Sequence, residues 1–365
     1  MSNISKIFVV GATGAQGIPV VQGLVKDKAY FVRALTRNPE SSRAKSLLAL
    51  GNVELVEGTF ASEEDLREGF RGCDGAFVNI DGFNCGEKTE MFWAIRAYEL
   101  AIEEGIKFFV YGNLDFVYKK SGYNPIFRTG HYDGKGRIAE WILQQTKQNG
   151  SKMGAAIFTS GPYMEMTISK GTPMSPMVED GVVTWRVPLG DGAVAHVALD
   201  DCAYYVRWLF DNPGRANGMD LEVAIDHIPY SELARAFEKV TGRPAKYVDT
   251  DMDTYWLSGP MSFMAEMPAG YNSDVRDPAA MSTRRNFTGF WTMWTHSGGN
   301  RGVIQRNYAL LDEIHPNRIK SAEQWLRRED AKAKADGLGG LFERVESGGP
   351  GPLLKMVEDG LQGRL

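Results

Sequence analysis

Ile7-Phe8-Val9-Val10-Gly11-Ala12-Thr13-Gly14-Ala15-Gln16-Gly17 is the stretch around which this chain is read. Its four leading apolar residues, two of them β-branched, predict a buried strand. Three glycines spaced three apart follow, and then Ile18, Val21, Leu24 and Val25 recur at helical spacing. The order is strand, glycine turn, helix. A helix start offers unpaired N–H groups and partial positive charge, which suits a phosphate. Glycine lets a pyrophosphate approach the backbone with no Cβ in the way. The spacing is G-x-x-G-x-x-G rather than G-x-G-x-x-G. The strand before it and the amphipathic helix after it raise it above an ordinary glycine-rich turn, so a dinucleotide seat is expected here.

Working outward, apolar strands and helices alternate. Strands are predicted over 30–37, 53–56, 74–80, 106–111 and 153–159. Helices are predicted over 41–50, from Ser62 onward, over 88–104 and over 131–148. Ser62 is followed by three acids, as at a capped helix start. Such alternation predicts an α/β fold, a Rossmann-type doubly wound parallel sheet. Ligands then lie along the carboxyl ends of the strands. That rim comprises 11–17, 36–37, 59–60, 79–83, 112–116 and 160–164.

Beyond residue 160 the alternation degrades. Short strands are expected over 182–187, 193–198, 221–225 and 245–248, with helices from Asp200, over 230–241 and over 321–335. The expected organisation is a nucleotide-binding domain over 1–160, a smaller α+β substrate lobe over 161–336, and a glycine-rich tail over 337–365 that is loosely held or docks on a partner. The lobe is rich in Met, Trp and Tyr, and residues 252–301 show little periodicity. Asn113, Phe116, Tyr163, Met164 and Met166 are the candidate substrate-pocket residues.

At 365 residues the chain suffices for one large or two ordinary domains. A hydrophobic content of 43% and a charged content of 24% predict a globular protein with a substantial core. A net charge of −5 gives no bulk electrostatic case for direct nucleic-acid binding. Cys73, Cys85 and Cys202 are scattered, odd in number and lack metal-site spacing, so reduced thiols and no metal are expected. The chain runs from Met1 straight into the first strand, leaving no room for a signal peptide, and has no apolar run of membrane-spanning length. A cytoplasmic protein is expected, with the nucleus as the alternative compartment.

The end of the second strand indicates which dinucleotide. NAD sites usually carry an acid there for the ribose hydroxyls, whereas this chain has Thr36-Arg37. An acid would repel a 2′-phosphate and a guanidinium binds one, so Arg37 points to NADP(H). Ser41 and Arg43 stand close enough in sequence to add to that site.

Val9–Gly17, Val32–Pro39 and His131-Tyr132-Asp133-Gly134-Lys135-Gly136 together resemble the NmrA-like proteins, atypical short-chain dehydrogenases related to the isoflavone-reductase group. The likeness runs over roughly 5–330. It implies that Gly11, Thr13, Gly14, Gln16 and Gly17, with Ala15 in the same turn, hold the pyrophosphate and that Arg37 holds the 2′-phosphate. It further implies that Asn79 lies near a ribose, Lys135 near the nicotinamide ribose and Tyr163 beside the nicotinamide. The family contains NADP(H)-dependent reductases and also members that have lost catalysis and act as redox sensors or transcriptional regulators.

The usual short-chain dehydrogenase triad is absent. Tyr132 stands three residues before Lys135 rather than four, and the strand-five position expected to hold Ser reads Tyr111-Gly112-Asn113. Lys135 is then the expected catalytic cation, with His131 one helical turn earlier as its candidate proton donor. The leading expectation is an NADP(H)-dependent reductase of a small apolar aromatic or polyketide-like metabolite in secondary metabolism, with no membrane or nucleic-acid partner. A cofactor-reading sensor or regulator with a protein partner is the second reading, and a redox-neutral isomerase with a retained cofactor the third. The oligomeric state is left open.

Overall fold

The computed structural model describes residues 4–149, 152–270, 273 and 276–349. Six strands come first: β1 (Lys6–Val10), β2 (Phe31–Thr36), β3 (Val53–Glu57), β4 (Gly75–Val78), β5 (Phe108–Leu114) and β6 (Gly154–Ser160). They alternate with helices α1 (Gly17–Val25), α2 (Ser42–Leu48), α3 (Glu63–Phe70), α4 (Gly82–Glu103), a short α5 (Val117–Lys120) and α6 (Gly130–Asn149). After β7 (Met177–Glu179), β8 (Val182–Val187) and β9 (Val194–His196), the chain returns to the sheet as β10 (Asp220–Glu222). The sheet order is β10-β6-β5-β4-β1-β2-β3, and every pairing is parallel.

Both faces of this sheet are covered, which is why its strands read as continuous apolar runs. Val20, Val21 and Leu24 of α1 pack on one face together with Tyr205, Val206 and Leu209 of the helix Leu199–Asp211. Leu66 of α3, Ala97 and Leu100 of α4 and Ile142 of α6 cover the other face. Ser41 and Ser62 cap α2 and α3 by accepting from the N–H groups of Ala44 and Asp65.

The remaining chain builds a second core around Trp185, Phe237, Trp291, Trp294 and Trp325, all buried. There β8 pairs with β7 and with β12 (Ala245–Asp249), and β9 pairs with β11 (Asp226–Ile228). The stretch of little periodicity contains the helix Thr283–Thr295. Phe287, Phe290, Trp291, Met293 and Trp294 form its buried face together with the polar Thr283 and Asn286, and Arg285, Thr288 and Thr292 lie on the opposite side. Arg306 joins the two regions. It is wholly buried, forks onto Asp115 at 3.0 and 2.7 Å, and donates to the Val223 carbonyl.

Two sequence expectations shift. The fourth helix starts at Gly82 rather than Lys88, with Asp81 capping it and Gly86 at φ +76° kinking the backbone between the two parts. The tail expected over 337–365 begins with a helix, Leu341–Ser347, whose Leu341, Phe342 and Val345 are buried in the second core. Residues 350–365 of that tail lie outside the described residues. The three cysteines are free and buried, and among the described residues no group of side chains has a metal-holding arrangement. No described helix is long and apolar enough to cross a membrane.

Candidate functional site

A cleft runs along the carboxyl ends of β1 to β6 and on under the second core. Its first wall is the β1–α1 turn. Gly11 sits at φ +81°, in the left-handed region, and a Cβ there would meet the Asn79 carbonyl at 2.5 Å. A Cβ on Gly17 would lie 2.0 Å from the Gly11 carbonyl oxygen. The turn is therefore closed on its own backbone, which leaves Thr13, Gly14 and Ala15 to line the cleft beside the first turn of α1. Pro19 within that first turn sacrifices no hydrogen bond, because the N–H it lacks would have had no intrahelical partner.

The Gln16 side chain spans the floor. It accepts from Asn79 Nδ2 at 2.9 Å and donates to Ser160 Oγ at 3.2 Å, so it ties the ends of β4 and β6 to the turn. At the far end lie Thr36, the last residue of β2, then Arg37 and Asn38, with Ser41 at the start of α2. Arg43 reaches back to donate to the Thr13 carbonyl at 3.2 Å.

Lys135 projects from α6 into the middle of the cleft. Its Nζ lies 3.0 Å from Asn79 Oδ1, 2.8 Å from the Ile80 carbonyl and 3.3 Å from the Gly112 carbonyl, so one ammonium clamps the ends of β4 and β5. A fourth oxygen, Glu90 Oε1 of α4, stands 2.8 Å away. Glu90 is fully buried and neither of its oxygens has an aligned hydrogen-bond donor. Burial pushes its carboxyl up to about 7, against the pull of the Lys135 charge.

Beyond Lys135 the cleft becomes aromatic. The His131 ring lies 4.6 Å from Phe83, 5.3 Å from Phe287 and 6.1 Å from Phe290, centroid to centroid. Tyr163, Met166, Met261 and Met264 complete this chamber. Burial lowers His131 to about 4, and Lys135 adds to that shift, so the ring is neutral near pH 7. Near neutral pH His131 is therefore an uncharged ring within hydrogen-bond reach of Asn286. Burial raises Tyr132 and Tyr163 well above the usual phenol range, so both remain protonated.

The candidate cofactor residues Gly11, Thr13, Gly14, Ala15, Gln16 and Gly17 are thus gathered on one cleft with Arg37, Asn79, Lys135 and Tyr163. Of the candidate pocket residues, Asn113, Tyr163 and Met166 line it. Asn113 donates to Thr159 Oγ1 at 2.8 Å and leaves its own buried Oδ1 without a hydrogen-bond partner. Phe116 and Met164 lie elsewhere. Phe116 packs against Gly136 and beneath the Arg137 guanidinium, and Met164 is fully buried in the second core. Met164 opens a 3-10 turn (Met164–Thr167), whose three residues per turn send Met164 and Met166 in different directions.

Sequence reasoning missed Glu90 and Asn286. Glu90 lies on a long helix where an acid reads as a solvated charge. Asn286 stands 155 residues from His131 and touches its ring nitrogen Nδ1. The HisTyrAspGlyLys motif was a pointer to the cleft, but no spacing signal leads from it to position 286.

A model of the NmrA-like family matches residues 3–272. An NmrA-like family domain-containing oxidoreductase of Aspergillus versicolor, notA′, is 50% identical over 265 residues, spanning 67% of this chain and 71% of that protein. The NmrA-like family domain-containing oxidoreductase FrzB of a Cladobotryum species is 29% identical over 260 residues, spanning 66% and 75%. Among solved structures, the negative transcriptional regulator NmrA in complex with NADP superposes with a TM-score of 0.68 at 17% identity, over 92% of this chain and 99% of that one. An NADPH-dependent quinone oxidoreductase from Escherichia coli complexed with NADPH gives 0.61 at 18% identity, over 87% and 98%. At these identities the two structures establish the shared fold.

Proposed function

The chain belongs to the NmrA-like family, and from that premise we propose that it is an NADP(H)-dependent oxidoreductase that reduces a flat, largely apolar aromatic carbonyl compound. The observation that carries the reading is the continuity of the cleft from the glycine turn and Arg37, past Lys135, to the aromatic chamber. The curated relatives named as oxidoreductases support the reaction class, and the neighbours crystallised with NADP or NADPH support the cofactor.

The residues fit that cofactor. The turn of Gly11 and Gly17 is a cradle that a Cβ would fill, and the α1 start behind it favours a diphosphate. Arg37 and Ser41 stand where a 2′-phosphate would be held, and the end of β2 bears no acid to repel it. Asn113 Oδ1 is a buried acceptor in the lining that lacks a donor. When bound, the cofactor supplies hydride.

The chain's own residues do the rest. Lys135, anchored by Asn79, Ile80 and Gly112, places fixed positive charge where negative charge develops on a substrate oxygen. The protonated Tyr163 and neutral His131 offer hydrogen bonds from the chamber wall, and Phe83, Phe287 and Phe290 exclude water and stack on a planar ring. One observation favours the sensor reading as a second possibility: Lys135 already faces four protein oxygens with three protons. Following NADPH consumption at the nicotinamide absorbance against a panel of aromatic ketones and quinones tests the proposal. Turnover that Lys135→Met abolishes supports it. Tight NADPH binding with no turnover across the panel would favour the sensor.

A further inference from the structure

His131 and Asn286 come from opposite walls of the aromatic chamber, one on α6 and the other on the helix Thr283–Thr295. Asn286 is fully buried and uses its amide in two ways. Its Oδ1 accepts from the backbone N–H of His131 at 3.4 Å, a first-turn donor of α6 with no helical acceptor of its own. Its Nδ2 stands 2.8 Å from His131 Nδ1, closer than Oδ1 at 3.1 Å. With the amide oxygen engaged by the backbone, the shorter of the two ring contacts is the one in which the NH2 group donates and Nδ1 accepts. A neutral imidazole that accepts at one nitrogen carries its proton on the other. Among the described residues Nε2 makes no hydrogen bond, and the ring lines the cleft.

We propose that Asn286 is a positioning residue that holds His131 as the neutral tautomer protonated at Nε2, so that the ring donates a hydrogen bond to the substrate oxygen. The identity of that oxygen rests on the reductase reading, whereas the tautomer does not. The ring then orients and polarises the substrate without giving up its proton. Burial, which keeps His131 uncharged near neutral pH, is consistent with this role.

The charges around the ring are all engaged or remote. Lys135 is one turn along α6 and bound as described. Glu87 of α4 pairs with Arg128 and Arg137, and Asp133 with Arg128. Arg284 of the facing helix pairs with Glu266, and Arg285 is exposed. No carboxylate therefore competes with Asn286 for Nδ1.

The test is nitrogen NMR of the full-length protein labelled at histidine, from about pH 5 to 8, with the His131 signals identified by their loss in His131→Gln. Wild type is expected to show protonated Nε2, unprotonated Nδ1 and no titration over that range. Asn286→Asp places a carboxylate opposite Nδ1 and is expected to move the proton to Nδ1 and bring titration into the range. A wild-type ring protonated at Nδ1, or an Asn286→Asp ring that keeps the wild-type tautomer, overturns the proposal. In parallel, NADPH-dependent reduction of 1,4-naphthoquinone by Asn286→Asp is expected to fall about tenfold at pH 8. It should recover as pH falls and the ring regains a proton at Nε2, whereas a pH-independent loss overturns the hydrogen-bonding role. If wild type shows the expected tautomer but consumes no NADPH with the quinone, the failure belongs to the reductase reading alone.

Discussion

The fully buried Glu90 carboxyl lies 2.8 Å from the Lys135 ammonium, which itself lines the cleft. Burial outweighs the neighbouring charge and carries Glu90 up to about 7. As pH falls through that value Glu90 gains a proton and the pair gains net positive charge beside the cleft. An anionic dinucleotide should therefore bind wild type more weakly at pH 8 than at pH 6. The expected change is on the order of threefold to tenfold, for about 1 kcal/mol of screened Coulomb energy. Glu90→Gln should flatten the dependence. NADH is the suitable probe because its diphosphate does not titrate in this window. Calorimetry giving the same pH slope in both proteins would remove Glu90 from the account.

The glycine turn makes a steric prediction. A Cβ at Gly17 would lie 2.0 Å from the Gly11 carbonyl oxygen and 2.7 Å from that of Ala12, and these are backbone atoms that cannot swing away. Gly17→Ala should cost about 1–3 kcal/mol of stability through overpacking. It should also weaken NADPH binding by at least about tenfold, because the turn must open. Circular dichroism melting and a binding titration on the same sample check both. A variant with wild-type affinity would contradict the assignment of the turn as the diphosphate seat.

Glu165 predicts a pH dependence of folding remote from the cleft chemistry. Its Oε1 accepts from the Leu199 N–H at 3.2 Å, while its buried Oε2 has no donor. Burial, with Glu329 and Asp200 nearby, pushes it up to about 8. The unfolded carboxyl ionises near pH ~4.3, so the folded state holds a proton that the unfolded state has lost between that value and about 8. The Glu165 contribution to stability is thus fully present below the lower pH and is lost with rising pH, at up to about 1.4 kcal/mol per unit. Glu165→Gln keeps the acceptor and removes the ionisation. It should be more stable than wild type in urea at pH 8, by a margin that shrinks to about 1 kcal/mol at pH 5. Equal stability at both values would show that Glu165 does not hold its proton.

Much of this architecture was legible because burial on both faces of a parallel sheet leaves long apolar runs, as at Ile7–Val10. The glycine turn, Arg37 and Lys135 were legible because each sits at a strand end or on the first turns of a helix, where α/β topology predicts a rim. Glu90 was not, because an acid inside a predicted helix reads as a solvated charge, and its burial comes from Gly82, before the kink at Gly86, and Gly134 of α6 packing against it. The helix carrying Asn286 was not, because its buried face mixes polar Thr283 and Asn286 with the aromatics and its outer side carries threonines, which favour strands. Phe116 was misplaced for a related reason: a strand end puts residues on the rim, but side-chain direction decides which of them face it.

The central claim is that the cleft binds NADP(H) through the glycine turn and Arg37, and paired calorimetric titrations of NADPH and NADH test it most directly. Wild type should bind NADPH more tightly by about tenfold or more, the worth of one charge-assisted phosphate contact, and Arg37→Ala should bring the two affinities together. Equal affinities in wild type, or a ratio that Arg37→Ala leaves unchanged, would contradict it.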